Sequence, residues 1–407
     1  MKIKYGFILL AAATLLAGCA GFWDAPTSTT TTTITKTTDS SGVFYVLNQT
    51  TKQIAAYVIS SGTLDPISGS PYALAAAPYS IAIAPAPAGY LYVGTVSGIY
   101  VYTIGTGGVL TIANNSNAIS SDWPLAMQVS TNGSNGFWLI DAFINSGGQV
   151  QLDAIPINSS GTYTAGANVP SVSFPISYSN ANVVPTVKQM ALSPDGTNLF
   201  VALGSGGTIV IPFTYTSSSP LATTATVINL ANGGGAALSV AVDPTNRLFY
   251  IGETLAVSDS GGLRVFNYSS LGRGTPRTAP SQITGSPIAS GGGSPSAILP
   301  VASGEYVYVA NGEGDTGAGN IAWFPISASG TTYSIASGST IAAGIFPVGL
   351  AEDSLNNFVL AVSSGGTTSS GDPDLEAFTM SSGALTAAIT SVTGTDPVGA
   401  VAIAALP

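Results

Sequence analysis

Three loops in the C-terminal half of the sequence alternate oxygen-bearing side chains with glycine. They contain Glu253 and Asp259 in the first loop, Asn311, Glu313 and Asp315 in the second, and Asp372, Asp374 and Glu376 in the third. Carboxylate and carbonyl oxygens at short spacing are the ligands that Ca²⁺ prefers. The second loop therefore predicts weak calcium binding at Asn311, Glu313 and Asp315. It lacks a full ligand set and a clear closing carboxylate, and a solvated acidic loop is the alternative interpretation.

Acid–base chemistry has few candidates in this sequence. The chain contains no histidine, the side chain most often used for proton transfer near neutral pH. Aspartate and glutamate remain, and few of them lie in strands that could reach a central channel. Arg264, Arg273 and Arg277 cluster around one strand and the loop after it, where we expect a solvated face rather than a phosphate site. The sequence leaves any catalytic residue unknown.

Two aromatic residues directly precede a proline at the start of a repeat, Trp123 before Pro124 and Phe346 before Pro347. Aromatic side chains at such positions can stack on a sugar or a peptide, and both are candidates for ligand binding. Alternatively, they wedge neighbouring repeats together.

The first eighteen residues carry two lysines and then an apolar run too short to span a bilayer. This pattern predicts a signal peptide. It ends in Leu16-Ala17-Gly18-Cys19, which resembles the bacterial lipobox, whose cysteine receives a diacylglyceryl group and becomes the new N-terminus. The resemblance implies lipidation of Cys19, a membrane partner and a place in the bacterial cell envelope. Because Ala20 rather than aspartate follows, it implies the outer membrane.

Cys19 is the only cysteine, so no intramolecular disulfide and no thiolate metal site can form. A threonine-rich stretch from Pro26 to Thr38 is too polar and monotonous to bury a core, and we interpret it as a tether. The predicted organisation is a signal peptide at 1–18, a lipidated tether at 19–41 and one folded domain at 42–407.

The element that would position these residues is a repeat, seen most clearly from Pro78 to Ile104. It reads as a proline, a short apolar strand, a turn, an aromatic strand, a glycine loop and a third strand. The first strand recurs at intervals of roughly 46 to 63 residues, a spacing typical of propeller blades. Its aligned positions are Ile81, Met127, Met190, Val240, Ile298, Leu350 and Ala400.

The repeats predict an all-β fold, a seven-bladed β-propeller with four antiparallel strands per blade. Val43 to Leu47 and Ile54 to Ile59 read as second and third strands without a first strand, and Asp396 to Ile403 reads as a first strand without successors. We therefore expect the C-terminal strand to join the N-terminal blade and close the ring. Equivalent loops would then share one face, and the acidic loops would form one negative sector.

Several segments resemble a known group of proteins. LYVGT, VYVAN, SPDGTNLFVAL and the GSP motifs at Gly69 and Gly285 are similar to those of the seven-bladed propellers grouped with bacterial 6-phosphogluconolactonases and YVTN surface-protein repeats. The resemblance covers Val43 to the C-terminus. It implies a propeller and, for the lactonase members, hydrolysis of a lactone by water, a general base and cationic groups. These motifs build blades, and no catalytic residue carries over.

The composition argues against nucleic acid binding as the function. Charged residues make up 7% of the chain, the net charge is −10, and clustered lysine and arginine, which nucleic acid binding needs, are missing. The leading hypothesis is a monomeric, lipid-anchored, non-catalytic binding or surface-interaction module for a protein or glycan. The alternatives are a lactonase-like hydrolase and a calcium-stabilised structural or adhesion module, and calcium is the one cofactor that the sequence suggests.

Lipidation of Cys19 is directly testable. Labelled fatty acid should enter the full-length chain, and Cys19→Ser should abolish the label, because the thiol is the acceptor. Several acyl chains give lasting membrane attachment where one gives only marginal binding, so the variant should also leave the membrane fraction. Labelling that persists unchanged in Cys19→Ser would contradict the prediction.

Overall fold

The computed structural model describes residues 42–60, 63–84, 88–130, 137–163, 166–175, 186–258, 260–271, 279–313, 317–365, 374–390 and 399–406. All of them lie in the compact unit Ser40–Pro407. Cys19 and the tether fall outside these residues. Across the described ranges, no helix is both long and apolar enough to cross a membrane.

Short 3₁₀ turns occur at Thr106–Gly108, Asn114–Ser116 and Tyr268–Leu271. The described strands are, in chain order, β1 Val43–Asn48, β2 Gln53–Ser60, β3 Thr63–Pro66, β4 Tyr72–Ala73, β5 Pro78–Ile83, β6 Tyr90–Thr95, β7 Gly98–Ile104, β8 Leu110–Ile112, β9 Ala126–Val129, β10 Phe137–Ile144, β11 Val150–Ile157, β12 Ser171–Phe174, β13 Gln189–Leu192, β14 Asn198–Ala202, β15 Thr208–Pro212, β16 Thr226–Ile228, β17 Ala237–Val242, β18 Leu248–Val257, β19 Ser260–Asn267, β20 Ile288–Ala289, β21 Ser294–Pro300, β22 Tyr306–Glu313, β23 Gly317–Ser329, β24 Thr332–Ile335, β25 Thr340–Ile345, β26 Pro347–Glu352, β27 Phe358–Ser363, β28 Leu375–Ser381, β29 Ala384–Thr390 and β30 Ala400–Ala405.

These strands form seven antiparallel sheets, each a blade. In order around the ring the blades are β30-β1-β2-β3, β5 to β8, β9 to β12, β13 to β16, β17 to β20, β21 to β24 and β26 to β29, with β4 added to the first and β25 to the sixth. The innermost strands β5, β9, β13, β17, β21, β26 and β30 each contact the next, and β30 also contacts β5. The predicted seven-bladed propeller is confirmed.

The predicted ring closure is confirmed as well. β30 pairs with β1 in antiparallel register, with Phe44 opposite Ala405 and Val46 opposite Ile403. The main chain adds a bond from the N–H of Leu406 to the carbonyl of Val43 at 2.9 Å. Because the first and last described strands share one blade, every described innermost strand has a neighbour on each side.

The core lies between blades. The described apolar side chains form seven clusters, each drawing residues from two adjacent blades. Second strands are covered on both faces, so β14 is buried throughout, whereas the innermost strand β5 alternates buried and half-buried residues. This explains why the second strands read as continuous apolar and aromatic runs rather than as alternating ones.

Tyrosines of the second strands also connect blades by hydrogen bonds. The hydroxyls of Tyr45, Tyr92 and Tyr308 each donate to a glycine carbonyl in the third-to-fourth-strand turn of the next blade. The acceptors are Gly108 at 2.8 Å, Gly161 at 2.9 Å and Gly383 at 3.0 Å. A buried tyrosine thus contributes its ring to packing and satisfies its hydroxyl in the neighbouring blade.

Innermost strands are joined to one another through the prolines that begin them. The hydroxyls of Ser80, Ser239 and Ser296 each donate to the carbonyl of the proline that starts the next blade, Pro124, Pro295 and Pro347 respectively. Glycine faces this junction from the second strand: a Cβ on Gly94 would lie 2.4 Å from both the Pro124 ring and Ser80 Oγ. The repeated proline therefore supplies a carbonyl acceptor as well as a rigid start to the strand.

The two GSP motifs adopt the same structure. Gly69 and Gly285 both have φ of +87°, and both Ser-Pro peptide bonds are cis. In each, the serine hydroxyl accepts a backbone N–H from a third strand at 2.9 Å, that of Ala56 for Ser70 and that of Val265 for Ser286. The motif thus replaces part of a strand ladder at the outer side of a blade.

Removal of Ala400–Pro407 tests the closure. The truncated chain should expose the apolar edge of β1 and melt more than about 10 °C below the intact protein, or fail to melt cooperatively. Removal of Pro407 alone is the control and should leave the melt unchanged. A cooperative melt of the long truncation at the full-length temperature would refute the closure by β30.

Candidate functional site

The closed ring leaves a cavity of about 210 Å³ at its centre. Its lining comes from the innermost strands of six blades: Tyr79, Ser80, Ile81, Leu125, Ala126, Met127, Gln128, Lys188, Gln189, Met190, Ser296, Ala297, Ile298, Val348, Gly349, Leu350, Val401, Ala402 and Ile403. Most of these residues have apolar side chains. Among the described lining residues, Lys188 is the only charged one.

β-Bulges shape one end of this cavity. Five innermost strands carry an extra residue near their first position, shifting the register against the second strand. These residues are Tyr79, Leu238, Ser296, Val348 and Val401, and four of them line the cavity. A bulge re-aims a side chain without ending the ladder. We call the side of the ring where the innermost strands begin the upper face, and these residues surround the mouth of the cavity there.

Hydrogen bonds to neighbouring blades orient the two glutamines of the lining. Gln128 donates from Nε2 to the carbonyl of Met190 at 2.9 Å, and Gln189 accepts the N–H of Val240 at its Oε1 at 3.0 Å. Each glutamine therefore bridges two blades with one amide atom and has its other amide atom, Oε1 of Gln128 and Nε2 of Gln189, outside these bonds. The described lining thus contains two oriented glutamine amides and the ammonium-bearing Lys188.

The predicted aromatic residues lie in different surroundings. Trp123 is 49% exposed on the upper face, and its ring meets that of Tyr79 edge-on, with centroids 5.3 Å apart. Phe346 has a φ of +53° and covers Gly312 of the sixth blade, where an added Cβ would lie 2.5 Å from its ring. Tyr79 connects Trp123 to the cavity lining, whereas Phe346 packs between blades six and seven. Their predicted role in ligand binding stays a prediction.

Of the predicted calcium ligands, Asn311 is fully described and Asp315 lies outside the described residues. Asn311 is completely buried, and its Nδ2 donates to the carbonyl of Ser290 at 2.7 Å and to Oδ1 of Asn320 at 3.1 Å. Asn320 in turn holds the carbonyl of Gly291 at 2.9 Å. The amide of Asn311 therefore fixes the segment that leads into the sixth blade. Among the described residues, no group of three or more acidic, histidine or cysteine side chains could hold a metal ion; the calcium site stays a prediction.

The expectation of a solvated Arg264 is wrong, and so is the assignment of Glu253 to an exposed negative sector. Arg264 Nη1 lies 2.6 Å from Glu253 Oε1, and both side chains are buried. The pair also binds main chain: Arg264 donates to the carbonyl of Asn229 at 2.7 Å, and Glu253 accepts the N–H of Ala231 at 2.8 Å. The arginine can be buried because a carboxylate and a backbone carbonyl replace water around it. Arg273, Arg277, Asp259 and Asp372 lie outside the described residues.

The third acidic loop has a similar role where the structure describes it. Asp374 is buried, and Glu376 accepts the N–H of Gly344 through Oε2 at 2.9 Å. Blades five, six and seven therefore each use polar side chains of their second or third strand to hold the segment that enters the blade. The acidic residues predicted to form one negative sector thus include two buried ones, Glu253 and Asp374.

The third blade has a carboxylate at a position that is apolar elsewhere. Asp141 lies opposite Met127 of the innermost strand, and the same register position holds Val93, Val201, Ile251 and Val309 in other blades. Its side chain is fully buried, and neither carboxylate oxygen has a hydrogen-bond partner. Sequence reasoning missed it, although the aligned repeats carry the signal as one acid among β-branched residues.

Electrostatics disfavour ionised Asp141. Burial, then the carboxylates of Asp153 and Asp122, raise the pKa of Asp141 well above its ordinary value of 3.8. Asp153 faces it directly across the strand pair, where like charges repel. Asp122 lies on the segment leading into the blade and accepts a hydrogen bond from Ser120. Asp141 is not among the described residues that line the cavity, and it is a proton-binding group in the wall between blades two and three.

Comparisons with known proteins bear on this fold. No protein family and no curated protein matches the sequence. The structure of a periplasmic gluconolactonase of Pseudomonas aeruginosa matches with a TM-score of 0.66 at 17% identity, covering 90% of this chain and 99% of that one. A protein of Bacteroides uniformis described provisionally as a 6-phosphogluconolactonase matches with 0.63 at 17%, covering 89% and 98%. A similarly described protein of Bacteroides fragilis matches with 0.63 at 16%, covering 90% and 98%. The likeness shows the fold alone.

The substitution Asp141→Val tests whether the buried carboxylate destabilises the protein. Because the folded-state pKa is raised, the native protein should lose stability as pH rises from the ordinary value of 3.8 towards the folded one. The valine variant should therefore be more stable near neutral pH, by about 1 to 3 kcal/mol, and this advantage should shrink towards pH 4. Denaturant unfolding across that pH range measures it.

Asp195→Asn is the matched control. Burial alone would raise the pKa of Asp195, but hydrogen bonds from Ser193, Tyr268 and Thr197 outweigh it and lower the pKa. Its variant should therefore lose stability at neutral pH and match the native protein in acid, the opposite slope. An Asp141→Val protein with the pH profile of the native chain would contradict the assignment.

Proposed function

We propose that this chain is a lipid-anchored binding protein of the bacterial cell envelope, whose propeller offers the cavity on its upper face to a ligand. The observation that carries the proposal is the composition of the lining. It combines apolar side chains, two oriented amides and one ammonium group, which is the mixture typical of a site that holds a small molecule in a fixed orientation.

The same lining is poorly equipped for hydrolysis. Opening a lactone needs a base that takes a proton from water and donors that stabilise the developing oxyanion. The described lining of the cavity holds no carboxylate, and the chain has no histidine. Asp141 and Glu253, two carboxyls whose pKa is raised by burial, are 0% and 1% exposed and belong to the walls between blades. Binding is therefore the activity that this cavity supports best.

The cellular setting rests on the leader. Leu16-Ala17-Gly18-Cys19 supports a diacylglyceryl anchor, Ala20 supports the outer membrane, and the threonine-rich stretch would separate the propeller from the lipid. Such an anchor holds the protein at the membrane while the cavity stays open to the surrounding medium.

A lactone hydrolase is the second candidate, and the names of the structural neighbours favour it. The Pseudomonas aeruginosa protein is a gluconolactonase, and two Bacteroides proteins are described provisionally as 6-phosphogluconolactonases. Under this alternative a carboxylate outside the described lining would supply the base.

One pair of measurements separates the two candidates. The full-length protein should show no hydrolysis of glucono-δ-lactone or 6-phosphogluconolactone above the spontaneous rate, while a screen of small molecules by thermal shift should find ligands. Those ligands should lose binding in Val348→Trp, which fills the cavity mouth, and keep it in Val227→Trp, a matched change at a valine that is 53% exposed on an outer strand. Turnover well above background that Val348→Trp abolishes would replace the binding function with the hydrolase.

A further inference from the structure

Resting on the proposed binding function, we infer that the central cavity takes a small monocarboxylate, whose carboxylate group pairs with Lys188. The observation behind this inference is that Lys188 is the one charged residue in the described cavity lining, which also contains Gln128 and Gln189. Nothing in the comparisons assigns a ligand to these residues.

Charge gives the first step. The chain carries nine lysines and arginines against nineteen aspartates and glutamates, so its net charge is negative. The described cavity lining has the opposite sign, because Lys188 is its one charged residue. Salt screens the repulsion that acidic residues exert on an anion more than about 8 Å away. Within the cavity, Lys188 is the near charge, and it attracts an anion.

The number of charges gives the second step. A single ammonium group balances a single negative charge, and a phosphate monoester carries close to two at neutral pH. The second phosphate charge would lack a cationic partner in a partly enclosed site, which is costly. The described lining therefore suits a carboxylate better than a phosphate ester.

The main chain of Lys188 is fixed beside the cavity. Its backbone N–H donates to the carbonyl of Ala202 at 2.9 Å, at the start of the innermost strand of blade four. Gly204 lies beside its stem: an added Cβ there would be 3.6 Å from Lys188 Cε. The ammonium group itself stays solvated, since the side chain is exposed, and is free to pair with an incoming anion.

Volume and shape limit the rest of the ligand. A space of about 210 Å³ corresponds to roughly seven water molecules at about 30 Å³ each, so the ligand has on the order of ten heavy atoms. Tyr79 and apolar residues such as Val348 and Val401 surround the mouth, and Tyr79 is buttressed by the edge of Trp123. The ligand is thus a compact carboxylate that fits between these residues.

A matched set of probes tests the inference. Benzoate, its neutral analogue benzamide and phenyl phosphate are titrated into the full-length protein, with calorimetry and tryptophan fluorescence as readouts. Benzoate should bind about fivefold to tenfold more tightly than benzamide, and more tightly than phenyl phosphate. Lys188→Met should remove the preference for benzoate over benzamide. Lys52→Met, which neutralises another exposed lysine outside the cavity lining, should keep it.

Three results would overturn the inference. They are equal affinity for benzoate and benzamide in the native protein, a preference for phenyl phosphate, and a benzoate preference that survives Lys188→Met. Benzamide binding that is equal to benzoate binding and is lost in Val348→Trp would leave the cavity as a binding site and refute only the carboxylate. Hydrolysis of lactones, measured separately, would refute the proposed function whatever the probes do.

Discussion

The structure depends on one constraint: seven innermost strands must meet side by side around a closed circle. Each can do so only if its outer neighbours pack against the next blade, and the described apolar clusters are arranged accordingly, one at each junction. Serine-to-proline bonds, tyrosine-to-glycine bonds and bridging glutamines repeat at these junctions. Stability in this chain is therefore distributed around the ring rather than concentrated in one core.

The same constraint explains what the sequence could predict. Strand order, blade number and ring closure follow from local patterns that recur. A repeated pattern corrects an error in the assignment of any single strand. The pairing of Glu253 with Arg264 could not be read, because it depends on the register between β18 and β19 and on how a preceding segment covers both side chains. A solvated acidic loop and a buried ion pair can have the same residue types, and only burial distinguishes them.

The cavity was harder still to predict. Lys188 and Gln189 look like ordinary polar residues at the start of a strand, and Gln128 like one near the end of another, yet the ring brings their side chains to one opening. Asp141 is the contrasting example, because an alignment of the repeats alone shows a carboxylate where other repeats have an apolar residue. Differences among the blades, more than their common pattern, indicate where this propeller departs from a plain scaffold.

Ring closure by β30 has a consequence for the order of events during folding. Phe44 and Ala405 pair with each other although almost the whole domain separates them along the chain. Contacts of such long sequence separation form slowly, and the strand needed here is the last to be synthesised, at about 5 to 20 residues per second. Six blades can assemble while the first still lacks its innermost strand. The nascent protein must therefore pass through an incomplete arc with an open, apolar edge, so biogenesis of this fold demands protection from self-association until β30 has been synthesised.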